Sequence, residues 1–158
     1  MSLTFTICRE FVASTDAQIL LDELSATLAI FTGDGGQHRF SISDVTTERS
    51  RFVVARDTYG NPLGCGAITP LGPTIAEVKR VYSRPEAEGV GAAILTYLER
   101  EAVGLGYIAL WLETRDANHR AVSLYQKHGF RSMPAYGPYI GQPDTRCFEK
   151  RLAVRSPA

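Results

Sequence analysis

The sequence predicts an α/β fold of the α+β kind, one mixed sheet flanked by helices in a single domain. Three observations carry the prediction. Runs at 51–56, 63–69 and 74–83 are rich in β-formers and joined by turn residues, which is the pattern of an antiparallel meander. After Gly89, the residues Val90, Ala93, Ile94, Tyr97, Leu98, Ala102 and Leu105 recur at three- and four-residue steps, one face of a helix. That helix lies between the run 74–83 and a second apolar run at 107–114, so these two strands pair in parallel through a right-handed crossover.

Each element has its own local signal. Residues 3–10 read as a first strand, β-branched and aromatic. Thr15 and Gln18 have capping-box spacing and open a helix whose apolar positions Ile19, Leu20, Leu24, Leu28 and Phe31 share one face; Gly33-Asp34-Gly35-Gly36 stops it. Core packing is the main expectation for this helix, with substrate contact from its end and the glycine loop as the second reading. Residues 37–50 are polar and irregular, with room for a short helix near Ser43-Asp44.

The strand at 51–56 turns through Asp57-Thr58-Tyr59-Gly60-Asn61-Pro62 into the strand at 63–69. Its Gly64 and Gly66, two apart, call for a close backbone approach or a bend. A turn at 70–73 leads into the third strand. The later strand at 107–114 is almost continuously apolar, so burial on both faces is expected. Asp116 or Asn118 can cap the next helix, which turns Ala121, Val122, Leu124 and Tyr125 inward and ends at His128-Gly129. Residues 133–143 hold three prolines and two glycines and read as a loop, and 145–152 as a closing strand. The domain is expected over residues 1–154, with 155–158 as tail.

Bulk properties exclude several classes. The 158 residues suffice for one core without staples. Seventeen basic and seventeen acidic residues cancel, and no Lys/Arg block exceeds a dipeptide, so a nucleic-acid partner is not expected. Three cysteines without CxxC spacing and three unpaired histidines suggest neither a disulfide framework nor a metal site. No apolar run approaches the roughly 18 to 20 residues that span a bilayer, and no signal pattern opens the chain, so the expectation is a cytoplasmic protein without a membrane partner. A homodimer is compatible with this reading.

The most informative stretch is Arg84-Pro85-Glu86-Ala87-Glu88-Gly89-Val90-Gly91, where a strand passes to a helix through glycines. The first N–H groups of such a helix lack intrahelical partners and carry the positive end of its dipole, so main chain alone can hold a phosphate there. Four segments recur in order: Glu77-Val78-Lys79-Arg80-Val81-Tyr82-Ser83-Arg84-Pro85; Gly89-Val90-Gly91-Ala92-Ala93-Ile94-Leu95; Leu112-Glu113-Thr114; and Asn118-(x)2-Ala121-(x)2-Leu124-Tyr125-(x)3-Gly129-Phe130. Together they resemble the GNAT family of N-acetyltransferases, and the resemblance covers nearly the whole chain.

The resemblance implies a central mixed sheet of six or seven strands with about four helices, and acetyl-CoA as cosubstrate where two parallel strands splay apart. It implies that the main chain of Val81, Tyr82 and Ser83 pairs with the pantetheine arm, and that Glu88, Gly89, Val90, Gly91, Ala92 and Ala93 hold the pyrophosphate. The loop departs from the family, which usually carries a Gln or Arg before the glycines. Counting from Pro85 puts Glu88 at that position, with Ala93 as the last small residue. Aligning the helix face makes Gly91 the last glycine and puts Glu86 there; this register is preferred because Ala93-Ile94-Leu95-(x)2-Leu98-Glu99 then matches the family's helix. In both registers a carboxylate replaces the cation or amide, which opposes phosphate binding unless it turns to solvent. Arg84 is a candidate compensating cation, with a solvated strand-end charge as the alternative.

Acetyl transfer to an amine needs a neutral amine, a stabilised oxyanion and a proton for the departing thiolate. Tyr125 matches the family's usual acid and lies two turns after Asn118, which could bond the pantetheine arm or simply cap its helix. Glu77 and Glu113 compete as general base, beside a water relay. Trp111, Tyr136 and Tyr139 could line an acceptor pocket, with packing as the default, and Cys65, Cys147 and His128 read as buried small hydrophobes and a helix-end cation. The leading expectation is acetylation of a small-molecule primary amine. The alternative is a CoA- or acyl-CoA-binding module without turnover; a nucleotide-binding module is disfavoured because the glycines come late and lack a P-loop Lys.

Overall fold

Along Phe52-Val53-Val54-Ala55 successive side chains point to opposite sides of a strand, and all four are buried, so the sheet must be covered on both faces. The computed structural model describes residues 4–36 and 40–153; Leu3 at the expected start of the first strand, residues 37–39 of the polar stretch and the tail beyond Ala153 lie outside the described residues.

The chain runs β1 (Phe5–Arg9), α1 (Thr15–Thr32), β2 (Arg51–Asp57), β3 (Pro62–Pro70), β4 (Ile75–Ser83), α2 (Val90–Gly104), β5 (Ala109–Arg115), α3 (His119–Lys127), β6 (Arg131–Met133) and β7 (Thr145–Arg151), with short 3₁₀ turns at Ile42–Val45 and Gly137–Tyr139. The seven strands form one sheet in the order β1-β2-β3-β4-β5-β7-β6. β4 and β5 pair in parallel, as the intervening helix requires, and the other neighbours are antiparallel. β6 has no counterpart in the sequence reading. Its three residues are too few to show a period, and it exists as a strand because Arg131, Ser132 and Met133 find partners in Glu149, Phe148 and Cys147 of β7.

One face of the sheet carries α2 and α3 over Val53, Ala55, Ile68, Val78, Leu110, Leu112 and Phe148. The helix face expected for α2 is the one that packs: Val90, Ile94, Leu98 and Ala102 are fully buried. It can lie so close because Gly64 and Gly66 offer no side chain. A Cβ on Gly66 would sit 2.7 Å from Ile94 Cγ2, and one on Gly64 only 2.5 Å from the Tyr82 carbonyl oxygen.

The other face carries α1 over Phe52, Val54, Cys65 and Ala67. Here the sequence reading needs correction. Ser14, not Thr15, caps α1, its side chain accepting from the Ala17 N–H. Leu20 and Leu21 pack on the sheet and Leu24 and Ser25 are buried beside them, whereas Ile19 and Phe31 are exposed. The apolar residues of α1 surround much of the helix, so their spacing alone cannot select which stripe docks. In β5 continuous burial gives way to alternation: Leu110, Leu112 and Thr114 are buried, while Trp111, Glu113 and Arg115 are half-buried, and Glu113 and Arg115 border a cleft.

Candidate active site

β4 and β5 pair only over Ile75, Ala76 and Glu77 with Ala109, Leu110 and Trp111. Beyond Glu77 the strands part, so the β5-facing edge of β4 has no ladder partner from Val78 to Ser83 among the described residues. A β-bulge reinforces the divergence. Cys65 opposes Tyr82 and Ala67 opposes Lys79, which sets both Arg80 and Val81 against the single residue Gly66. Arg80 has φ of 56°, the one positive φ of a non-glycine among the described residues. Its side chain offsets the strain by tying β4 to α1 and the following loop: it donates to the carbonyls of Leu21 and Gly35 and to Ser25 Oγ. Burial lowers the Arg80 pKa, but a guanidinium remains charged at any ordinary pH.

The cleft so formed is lined by Glu77, Val81, Glu113, Asn118 and Tyr125, which are five of the sequence-predicted site residues brought together from β4, β5 and α3. Leu24 and Leu28 of α1 and Asp34 and Gly36 of its terminal loop form the opposite wall. The end of α1 and its glycine loop thus border the cleft while the helix also packs on the sheet. Val78, Ala121 and Tyr139 also line it, as do Phe40, Lys79, Arg80, Thr114 and Arg115, which the sequence did not single out; half-buried strand charges such as Lys79, Arg80 and Arg115 show no periodic signal.

Glu77 is 5% exposed and its carboxylate is held on several sides. Tyr136 Oη donates to Oε2 at 2.6 Å, Tyr139 Oη to the same atom at 3.3 Å, and Lys79 Nζ lies 3.4 Å from Oε1. Burial and the carboxylate together push the Tyr136 hydroxyl far above its ordinary range. Tyr139 lines the cleft and joins Tyr136 in holding Glu77, and Trp111 packs at a tilt against Tyr136 while its N–H donates to Glu149. Tyr125, buried against Phe130 and Phe148, is also pushed up, by burial first and by the charge of Glu113 second, so its hydroxyl keeps its proton. Asn118 caps α3 through the Ala121 N–H, the structural one of its two readings, and it also lines the cleft.

At the other end of the splayed edge lies the glycine junction. Gly89, at φ of 83°, is the N-cap of α2, a conformation that side chains disfavour. Val90 N–H donates to Ala87 and Ala93 N–H to Gly89, while the N–H groups of Gly91 and Ala92 have no acceptor among the described residues. Gly91 packs against Leu124 and faces Ser83 Oγ, 3.6 Å from where its Cβ would stand. Glu86 and Glu88 are exposed. Arg84 does not compensate for them: it donates to Glu23 through Nε and Nη2 and to the Pro62 carbonyl through Nη1. Tyr82 joins the same carboxylate, and burial with that contact moves its hydroxyl up to about 12. Cys65 is an inert buried thiol at about 12. His128 is not the expected helix-end cation, because burial and Lys150 lower its pKa; Lys127 holds that place.

The profile of the acetyltransferase (GNAT) family matches residues 19–130. The chain belongs to the GNAT family. An IAA acetyltransferase of Azospirillum brasilense is 33% identical over 150 residues, 93% of this chain and 97% of the relative. An uncharacterised N-acetyltransferase of Schizosaccharomyces pombe is 40% identical over 106 residues, 65% of this chain and 63% of its own length. Among solved structures, a Klebsiella pneumoniae protein described as an acyl-CoA N-acyltransferase superposes with a TM-score of 0.82 at 28% identity, covering 95% of this chain and 99% of that one. The GNAT cosubstrate fits the residues present: an unpaired strand edge can pair with an amide-containing arm, and unsatisfied N–H groups of Gly91 and Ala92 can meet phosphate oxygens.

Proposed function

We propose that this GNAT protein transfers the acetyl group of acetyl-CoA to the primary amine of a small molecule, by direct attack in a ternary complex. The observation that carries the proposal is the convergence of Glu77, Glu113, Asn118 and Tyr125 on one cleft beside the unpaired edge of β4. Acetyl-CoA supplies an activated acetyl thioester. The main chain of Val81, Tyr82 and Ser83 holds its arm, with Asn118 on the facing helix, and Glu88, Gly89, Val90, Gly91, Ala92 and Ala93 surround its phosphates. Glu77 or Glu113 takes the proton that the amine must lose, directly or through water. Tyr125, kept protonated by burial, gives a proton to the departing thiolate. Holding the amine against the thioester supplies much of the rate. A small acceptor accords with the similarity to an IAA acetyltransferase along nearly the whole of both chains.

A thiol-release screen with acetyl-CoA and a broad panel of amines tests activity and acceptor class together. Release of CoA that depends on one class of amine is expected. CoA binding without turnover on any amine would favour the alternative, a CoA-binding module, for which Glu86 and Glu88 beside the cradle are the supporting observation.

A further inference from the structure

The phosphate cradle presents neutral backbone donors flanked by two carboxylates, Glu86 and Glu88, and the nearest cation in its own loop, Arg84, is committed to Glu23. A dianionic diphosphate placed there would meet net repulsion from the side chains. The cation that reaches the cradle comes from the other wall of the cleft. Arg120, in the first turn of α3, extends to β4 and donates from Nη2 to Ser83 Oγ at 3.2 Å. That same Ser83 Oγ faces Gly91 in the first turn of α2, where the N–H groups without acceptors lie. The guanidinium is exposed and its bond to a neutral hydroxyl is weak enough to exchange for an anion.

We propose that Arg120 is the phosphate-binding cation of this protein, moving from Ser83 to the pyrophosphate of CoA and replacing in trans across the cleft the charge that the glycine loop lacks. The proposal rests on the acetyl-CoA reading above. Arg120 thereby links the two diverging halves of the sheet once the cosubstrate is in place, because α3 follows β5 while Ser83 and the cradle belong to β4 and α2. Its planar fork suits two phosphate oxygens, which a lysine cannot bridge.

Calorimetric titration with CoA, and thermal shift with millimolar pantetheine, which has the same arm without phosphates, test the proposal on wild type, Arg120→Ala and Arg120→Lys. Arg120→Ala is expected to weaken CoA by about 10- to 100-fold, to flatten the fall of affinity with added salt, and to leave the pantetheine shift unchanged. Arg120→Lys should retain part of the affinity. If the wild type binds CoA and Arg120→Ala binds it equally well, or loses CoA and pantetheine to the same extent, Arg120 is at most a latch between β4 and α3 and the proposal is overturned. A wild type that does not bind CoA would overturn the acetyl-CoA reading itself, a different result from a variant-specific failure.

Discussion

Arg84 and Glu23 form a two-point pair across 61 residues of sequence, Nε to Oε1 at 3.0 Å and Nη2 to Oε2 at 2.7 Å. The pair anchors the middle of α1 to the end of β4, and in doing so draws away from the glycine junction at Gly89 the arginine that stands next to it. Tyr82 donates to the same carboxylate, and Arg80 ties Leu21 and Ser25 to the bulge one turn away. The wall of the cleft contributed by α1 is thus positioned by side chains of the strand that carries the site.

The Arg84 hydrogen bond lowers the Glu23 pKa below its ordinary 4.5. A depressed carboxylate stabilises the fold above its unfolded pKa and loses that stabilisation as the pH falls through the folded value. Glu23 is about a third exposed, so solvent screening limits the effect, and Glu23→Gln is expected to cost about 1 kcal/mol at neutral pH. Melting curves of wild type and variant should converge as the pH is lowered below 4.5; a constant gap down to strongly acid pH would contradict the linkage.

Gly66→Ala should destabilise the fold by about 1–3 kcal/mol, because the added methyl meets Ile94 at 2.7 Å and Leu98 at 3.1 Å in a packed core. Gly64→Ala should cost more, since its obstacle is the backbone oxygen of Tyr82 rather than a side-chain tip. Urea unfolding ranks the two, and an inverted order would mean that β4 shifts more readily than α2.

Tyr125→Phe removes one hydroxyl and keeps the ring against Phe130 and Phe148. If Tyr125 is the acid, kcat falls by about 10²-fold or more while CoA affinity stays within a few-fold. Unaltered kcat with a weakened CoA affinity would assign the hydroxyl to binding instead.

Glu77→Gln and Glu113→Gln separate the candidate bases. Loss of the base should lower kcat/KM by about 10²–10⁴-fold and remove the ascending limb of the pH profile, and the other variant should change it by less than about tenfold. Glu77→Gln should also lower the melting temperature, because Tyr136 and Lys79 lose a buried carboxylate partner. Neither variant affecting the rate would favour a water relay.

Glu88→Arg and Glu86→Arg probe the loop directly. The substitution whose parent carboxylate faces the phosphates should tighten CoA binding several-fold at low salt, and the gain should shrink as salt is added. No gain for either variant would place both carboxylates in solvent.

Much of this protein was legible in its sequence because the relevant signals are local. The meander, the crossover helix with its start at the glycine junction, and a cap for α3 at Asp116 or Asn118 follow from periodicity, turn chemistry and helix-end donors, each readable within a few residues. The order of four such segments sufficed to suggest the GNAT family before any contact was known. The tertiary structure decided what depends on residues far apart. Only folding could show at which residue β4 and β5 part, that Leu21 rather than Ile19 faces the sheet, and that Glu23 captures Arg84. Pairing of charges and docking of an apolar helix are set by which surfaces meet, and strand register and packing determine that, not the spacing of residues along the chain.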